Sequence, residues 1–499
     1  MVGAESGNQV LDCGDYSGVN SLKCAKTQMR IRENYQGRRV LVIGLARSGL
    51  AVANLLTTQG ARVTVTDEKS ERELVNNIKK LKKGINILLG RQDSVRLRNL
   101  VSEYDLLVIS PGVPQENPLV QKAKKLKIPV VSEVEVAYNV ASYNLRWETL
   151  SSPPVVAVTG TNGKTTTCEL IGEVLRKDRK REVILAGNIG TPLSSVVGRI
   201  TKRTILVLEI SSFQLENVGS FRPCVAVILN ITPDHMDRHR TMVKYIQAKA
   251  NIFKKQTEED FCILNRDDKS WRILERKAKS QVIFFSSKRA LSKGVFVKGK
   301  KIVSNLNSRA KAPSDKDELL VKHVRIPGPH NLENALVAIA VGDIFGISKS
   351  KTRKVIKAFP GIEHRLEVVR EIDGRRFIND SKATNVDACK RALETFPAPI
   401  ILIMGGCDKG APYSPLESLV RKKVTALVLL GQAASRIEKE LIGAVPIYRV
   451  DGMREGVELS YSLSQPGSSI LLSPACSSFD MYCDFEERGK DFKRWVSEI

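Results

Sequence analysis

Short apolar runs that stop abruptly recur along this chain, and no other feature limits its possible folds so strongly. Val40–Ile43, Leu106–Ile109, Val155–Val158, Ile205–Ile210, Val225–Leu229, Ile400–Met404, Ala426–Leu430 and Ile470–Leu472 are rich in β-branched residues, do not alternate with polar ones, and end beside Gly, Ser, Thr or Asn. A strand with water on one face alternates, whereas a strand covered on both faces does not. The runs therefore predict parallel sheets sandwiched between helices, an α/β fold. In such sheets ligands bind past the carboxyl ends of the strands, so the residues just after each run are where chemistry belongs.

At 499 residues the chain is too long for one core. Its punctuation divides it into four parts. An extension over 1–35 is Gly/Asn/Ser-rich and expected to be disordered, with Met29 a candidate alternative start. A first domain over 36–151 closes on Ser151-Ser152-Pro153-Pro154, a central domain occupies 152–359, and a last domain over 360–499 is entered through Pro360-Gly361. No apolar run approaches the roughly 18 residues of a bilayer span. The first residues also lack the continuous apolar core of a secretory signal, so a cytoplasmic protein is expected. Nine cysteines, an odd number without a C-x-x-C pair, read as reduced thiols rather than a zinc site or a disulfide framework. The net charge of +25 invites nucleic acid as a partner, and Trp271–Arg325 alone carries 15 basic against 4 acidic residues. That stretch has neither zinc-finger spacing nor an aromatic RNA-binding motif. It reads as a solvated face, with a binding patch as the alternative, and no nucleic-acid partner is expected.

The run Val155–Val158 leads into Thr159-Gly160-Thr161-Asn162-Gly163-Lys164-Thr165-Thr166-Thr167 and then a helical stretch, Cys168–Leu175. Glycines let backbone N–H groups turn toward phosphate, Lys164 supplies a point charge at the β/γ end, and the Thr165 hydroxyl suits Mg²⁺. Val158 occupies the first Gly position of the strict phosphate-loop pattern, and the strand-loop-helix context compensates. Two further runs end in polar clusters. One delivers Glu209, a carboxylate at a buried strand end that needs a cation, either a metal or an Arg or Lys partner. The other leads to Asn230-Ile231-Thr232-Pro233-Asp234-His235-Met236-Asp237-Arg238-His239. In the first domain Gly44-Leu45-Ala46-Arg47-Ser48-Gly49 resembles a dinucleotide fingerprint, but Ala46 replaces the glycine that lets a pyrophosphate approach, which disfavours NAD.

With Leu208-Glu209-Ile210-Ser211-Ser212-Phe213-Gln214-Leu215-Glu216, His330-Asn331-Leu332-Glu333-Asn334-Ala335, Asn379-Asp380-Ser381-Lys382-Ala383-Thr384-Asn385 and Ser473-Pro474-Ala475-Cys476-Ser477-Ser478-Phe479-Asp480, these motifs resemble the Mur ligases, ATP-dependent amide-forming enzymes of peptidoglycan precursor synthesis. The likeness runs from about Arg38 to the C-terminus and is strongest to the D-glutamate-adding branch. It implies a Rossmann-like N-terminal domain, a central P-loop ATPase-type domain with a parallel sheet, and a Rossmann-like C-terminal domain. It also implies ligation of D-glutamate to UDP-N-acetylmuramoyl-L-alanine through an acyl phosphate, by a chain expected to work as a monomer.

The resemblance further assigns roles. Gly160, Thr161, Asn162, Gly163, Lys164, Thr165 and Thr166 would hold the ATP phosphates. Asn331 and Asn334 would meet the adenine, Arg365 the γ-phosphate and Asp380 the ribose. Ser48, Asp67, Lys69, Ser110, Gly112 and Asn188 would bind the UDP substrate. Lys382, Thr384, Lys409 and Ser478 would bind D-glutamate, with Phe485 as an apolar wall or else a plain core aromatic. Two Mg²⁺ sites are implied, one on Thr165 and Glu209 and one on His235 beside a carbamylated Lys249. Lys164, His235 and Lys249 would be catalytic. Acceptor and ATP groups on different domains imply closure during the reaction.

Overall fold

The computed structural model describes residues 35–90, 95–149, 153–188, 190–306, 319–326, 328–408 and 410–499. The expected disorder over 1–35 and the alternative start at Met29 fall on residues outside this set, except for Tyr35, and so does Lys409. Two compact units emerge: the chain up to Leu319 together with Leu336–Val355, and Leu320–Ala335 together with Ile356–Ile499.

The first unit contains two sheets. In the smaller, β1 (Arg39–Ile43), β2 (Arg62–Asp67), β3 (Asn86–Leu89), β4 (Leu106–Ile109) and β5 (Val130–Ser132) lie in the order β3-β2-β1-β4-β5, all parallel. The larger is built from β6 (Val155–Thr159), β7 (Glu182–Gly187), β8 (Thr204–Glu209), β9 (Val225–Ile228), β10 (Phe261–Asn265), β11 (Gln281–Ser286), β12 (Val295–Lys298), β13 (Lys301–Ser304) and β14 (Leu319–Leu320). Their order is β14-β13-β12-β11-β10-β9-β6-β8-β7. Every residue of β6, β8 and β9 is buried, the both-faces burial that their unalternating sequences require. At roughly 1.5–3 kcal/mol per buried Val, Leu or Ile, these strands anchor the core that the phosphate loop grows from.

The second unit has one sheet, of β15 (Glu367–Ile372), β16 (Arg375–Asn379), β17 (Ile400–Gly405), β18 (Val424–Leu430), β19 (Ile447–Arg449) and β20 (Ser469–Leu472), ordered β15-β16-β20-β17-β18-β19. All eight apolar runs are strands. The expected parallel sheets are present, and each of two sheets adds one antiparallel pair, β12 with β13 and β15 with β16. The reason is local: Gly299 at φ +60° and Gly374 at φ +72° allow tight turns that reverse the chain, so no crossover helix is needed. The β12–β13 hairpin lies in the basic stretch read as a solvated face, and it carries Lys298, Lys300 and Lys301 exposed at its turn.

Helices cover the sheets. Those that matter for the site are α1 (Arg47–Thr58), α2 (Lys164–Leu175), α3 (Met242–Ala250), α4 (Pro329–Ile344) and α5 (Phe485–Glu498). Helix α2 begins at Lys164, four residues before the expected Cys168, because Gly163 at φ +92° turns the chain directly into it.

Candidate active site

Strand β6 lies between β9 and β8, so three neighbouring strand tips deliver Thr159-Gly160, Asn230 and Glu209 to one edge of the central sheet. The loop Gly160–Gly163 is shaped by Asn230. Its carbonyl accepts from Thr161 N at 2.9 Å, its side-chain oxygen accepts from Asn162 N at 2.9 Å, and its amide donates to Asn162 O at 3.0 Å. Thr161 Oγ1 and the Tyr245 hydroxyl lie 3.2 Å apart, which fastens the loop to α3. Lys164, in the first turn of α2, donates to Gly160 O at 3.0 Å and Thr161 O at 2.9 Å. The loop thus opens onto a helix N-terminus, whose dipole favours an anion.

Glu209 is buried at 3% exposure. Of the two partners the sequence left open, Arg or Lys is not the one found: among the described residues Glu209 joins no ion pair. It accepts instead from Thr165 Oγ1 at 2.8 Å on one oxygen and from Asn188 Nδ2 at 3.1 Å on the other. A buried anion held only by neutral donors, beside a phosphate loop, is the chemistry a hard cation completes. No group of three or more His, Cys, Asp or Glu among the described residues forms a metal cluster. Mg²⁺ at a phosphate loop needs none, because it takes one or two protein oxygens together with phosphate and water.

Lys249 lies on α3, 1% exposed, with Nζ donating to Gly160 O at 2.9 Å and sitting 4.5 Å from the Tyr245 ring centroid. Burial first and the nearby Lys164 charge second hold its amine well below the ordinary lysine range, against the opposing pull of Asp234 and Glu209. His235 occupies a left-handed position, φ +55°, with its ring edge-on to Phe213 at 4.8 Å and Nε2 3.7 Å from Asp234 Oδ2. Behind it, Arg238 pairs with Glu216 at 2.7 Å and His239 Nε2 lies 2.9 Å from Ser212 Oγ.

Ser48, Asp67, Lys69, Ser110, Gly112 and Asn188 all line one cavity of about 530 Å³, together with Gln214. Asp67 at the tip of β2 accepts from Leu45 N at 2.6 Å and Lys69 N at 3.0 Å, and Ser110 Oγ donates to Gly44 O at 2.9 Å. Asn188 belongs both to this cavity and to the Glu209 pair. Gly187, at φ +115°, makes this possible: Asn188 N donates to Glu209 O at 2.8 Å, and a Cβ at Gly187 would fall 2.1 Å from that same oxygen.

The remaining sequence-predicted residues lie in the second unit. Asn331 and Asn334 share one face of the first turns of α4, both buried, with Asn334 Nδ2 donating to Asn331 Oδ1 at 2.9 Å. Asp380, at the tip of β16, accepts from Ser473 Oγ at 2.9 Å and Leu366 N at 3.2 Å. Burial pushes its carboxyl up to about 7, opposed by the charge of Arg365. Lys382 Nζ stands 5.0 Å from the Phe485 ring centroid, Ser478 is 2% exposed, and Thr384 is half-buried. Phe485 is itself half-buried and presents a face to that cation, so it is not a plain core aromatic. Asn230, Tyr245 and Arg488 were not singled out from the sequence. Asn230 had a usable signal, being the first polar residue past a buried run. The other two reach their places only through tertiary packing.

Three Mur ligase family models match: the Mur ligase MurD-like N-terminal domain over 38–132, the Mur ligase middle domain over 158–342, and the Mur ligase glutamate ligase domain over 364–476. Two curated relatives named UDP-N-acetylmuramoylalanine--D-glutamate ligase are similar along most of their lengths. That of Clostridioides difficile is 41% identical, covering 93% of this chain and 99% of its own. That of Pelotomaculum thermopropionicum is 43% identical, covering 94% and 99%. Among solved structures, MurF from Acinetobacter baumannii matches with a TM-score of 0.57 at 19% identity over 91% of this chain and 93% of its own. MurF ligase from Thermotoga maritima in complex with ADP matches with a TM-score of 0.56 at 16% identity over 94% and 97%. On the models and on relatives this similar, the chain belongs to the Mur ligase family.

Proposed function

We propose that the chain joins D-glutamate to the L-alanyl carboxylate of UDP-N-acetylmuramoyl-L-alanine at the expense of ATP, releasing ADP and phosphate, in cytoplasmic peptidoglycan precursor synthesis. The observation that carries this reading is the double duty of Asn188. It lines the cavity that holds Ser48, Asp67, Lys69, Ser110 and Gly112 while donating to Glu209, which takes the Thr165 hydroxyl of the phosphate loop. A UDP-linked acid bound in that cavity would have its reactive end beside the γ-phosphate.

A carboxylate and an ammonium do not condense in water, because both are ionised and hydroxide is a poor leaving group. Transfer of the γ-phosphoryl group turns the carboxylate into an acyl phosphate. The ammonium of D-glutamate gives up one proton to solvent and the free amine attacks the carbonyl carbon; the tetrahedral adduct then loses a second N–H proton and expels phosphate with the electron pair of the broken C–O bond. Lys164 and the loop N–H groups around Gly160–Thr166 would hold the phosphates in line. Thr165 and Glu209 would hold Mg²⁺, which when bound neutralises crowded phosphate charge. A second cation requires more than the amine of Lys249, since an ammonium repels metals and a buried amine is one donor. Burial, which lowers this amine's affinity for a proton, suits it to react with CO₂, and the resulting carbamate would supply, beside His235, an anionic ligand.

On the second unit Asn331, Asn334, Arg365 and Asp380 would take the adenosine and γ-phosphate, while Lys382, Thr384, Lys409 and Ser478 would bind the two carboxylates of D-glutamate against Phe485. The deciding assay is phosphate release from ATP. It is expected only when both UDP-N-acetylmuramoyl-L-alanine and D-glutamate are present, with L-glutamate inactive. Release that is indifferent to the amino acid would overturn the reading.

A further inference from the structure

Among the described residues Arg488 heads the largest fully buried side chains, at 2% exposure, and no step above uses it. It projects from the first turn of α5. Its Nε donates to Ser381 Oγ at 3.0 Å, and Nη2 donates to Ser381 O at 2.8 Å and Cys476 O at 3.2 Å. Its Nη1 donates to Ser477 O at 3.2 Å and Gly405 O at 3.4 Å. These acceptors follow or end β16, β20 and β17, three strands adjacent in the sheet, so one planar fork ties three strand tips together. Ser381 Oγ in turn donates to Phe485 O at 2.8 Å, which closes the tie onto the helix that carries Arg488.

Two features separate this from an ordinary structural arginine. First, the backbone it grips immediately precedes Lys382 and Ser478, and Phe485 lies one turn earlier on its own helix. Second, every acceptor is a neutral oxygen. Among the described residues no carboxylate pairs with Arg488; Asp480 and Asp380 are close enough only to act on it through space. Burying a guanidinium without a counter-ion is expensive, and neutral donors could tie strand tips at lower cost. What the arginine adds is a fixed positive charge under a pocket whose ligand, on the reading above, carries two carboxylates.

We propose that Arg488 is a positioning residue for the amino-acid acceptor, holding the Ser381-Lys382 and Ser477-Ser478 segments in register and supplying a positive charge, not taken up by a salt bridge, that favours a dicarboxylate. This rests on the acceptor-pocket reading, so the experiment separates the two. Steady-state constants would be compared for the wild-type chain and for Arg488→Lys, Arg488→Met, Ser381→Ala and Lys382→Ala. Arg488→Lys keeps the charge but loses the fork, and it should raise the KM for D-glutamate about tenfold while leaving those for ATP and the UDP substrate within about twofold. Arg488→Met should raise it further. Ser381→Ala removes the acceptor of Arg488 Nε and the donor to Phe485 O without burying or exposing a charge. It should raise the same KM about threefold and decides the matter should the Arg488 variants fail to fold. KM values for ATP and D-glutamate that rise together, or a lower melting temperature with unchanged kinetics, would overturn the proposal. If Lys382→Ala raises the D-glutamate KM while Arg488→Lys and Ser381→Ala do not, the pocket stands and the role of Arg488 falls. If Lys382→Ala leaves it unchanged, both fall.

Discussion

Asp380 shows how a residue can be chosen for its environment rather than its charge. Its carboxylate accepts from Ser473 Oγ and Leu366 N, and burial, outweighing the favourable charge of Arg365, pushes it up to about 7 from the usual carboxylate range. The sign of the consequence follows from linkage. Between its ordinary range and about 7 the folded chain holds a proton that the unfolded chain has lost, so this group's contribution is fully present at acid pH and is lost as pH rises through 7. His330 works the other way, since burial, then Arg365 and Arg391, drive its imidazole down to about 3, and its contribution is lost as pH falls below the ordinary histidine range. In an Asp380→Asn variant only the first slope disappears. The melting temperature of the variant should therefore gain on wild type steadily between pH 4.5 and 7.5, measured by scanning calorimetry in matched buffers. Parallel curves would show that Asp380 is ionised throughout and that its burial is compensated in some other way.

Elements explain why the chemistry lands at the strand tips, and also how far the sequence could be read. The eight unalternating runs were legible because burial on both faces leaves one signature. Strands such as Arg62–Asp67 and Glu367–Ile372 were not, because they are partly exposed or alternate, and polar residues interrupt the pattern. The start of α2 was misplaced for a related reason. Lys164-Thr165-Thr166-Thr167 is a weak helix-forming stretch, made helical by the Gly163 turn and the packing of buried Thr165, Thr166 and Thr167. Glu209 and the phosphate loop were legible from their position past buried runs, whereas the partner of Glu209 was not, since Asn188 is brought to it by a backbone turn. That turn is testable. Gly187→Ala must place a methyl 2.1 Å from Glu209 O at a left-handed position, so the Asn188 turn has to move away. The variant should lose ~1–3 kcal/mol of stability and roughly a hundredfold in kcat/KM for the UDP substrate. Chemical denaturation and initial rates check the two numbers, and a stable variant with normal kinetics would remove Asn188 from the site.

At the scale of the whole molecule the excess of 79 basic over 54 acidic residues sets a long-range field that no single contact explains. The proposed function supplies a use for it without any nucleic acid, because all three substrates, a nucleotide sugar, ATP and D-glutamate, arrive as anions. A net charge of +25 raises their concentration near the surface and their rate of encounter, and both effects are screened by salt within about 8–10 Å at ordinary ionic strength. The chemical step is different in kind. On the proposed function it would take place among Lys164, Glu209 and Lys249, of which Glu209 and Lys249 are buried at 3% and 1% exposure, where mobile ions reach poorly. Raising KCl from about 50 to 500 mM should therefore lower kcat/KM for the UDP substrate by roughly threefold or more while kcat changes little. Stopped assays with saturating ATP and D-glutamate isolate the first quantity from the second. A fall in kcat with an unchanged kcat/KM would place the salt-sensitive charges inside the site rather than across the surface, and the basic stretch around the β12–β13 hairpin would then need a partner other than substrate.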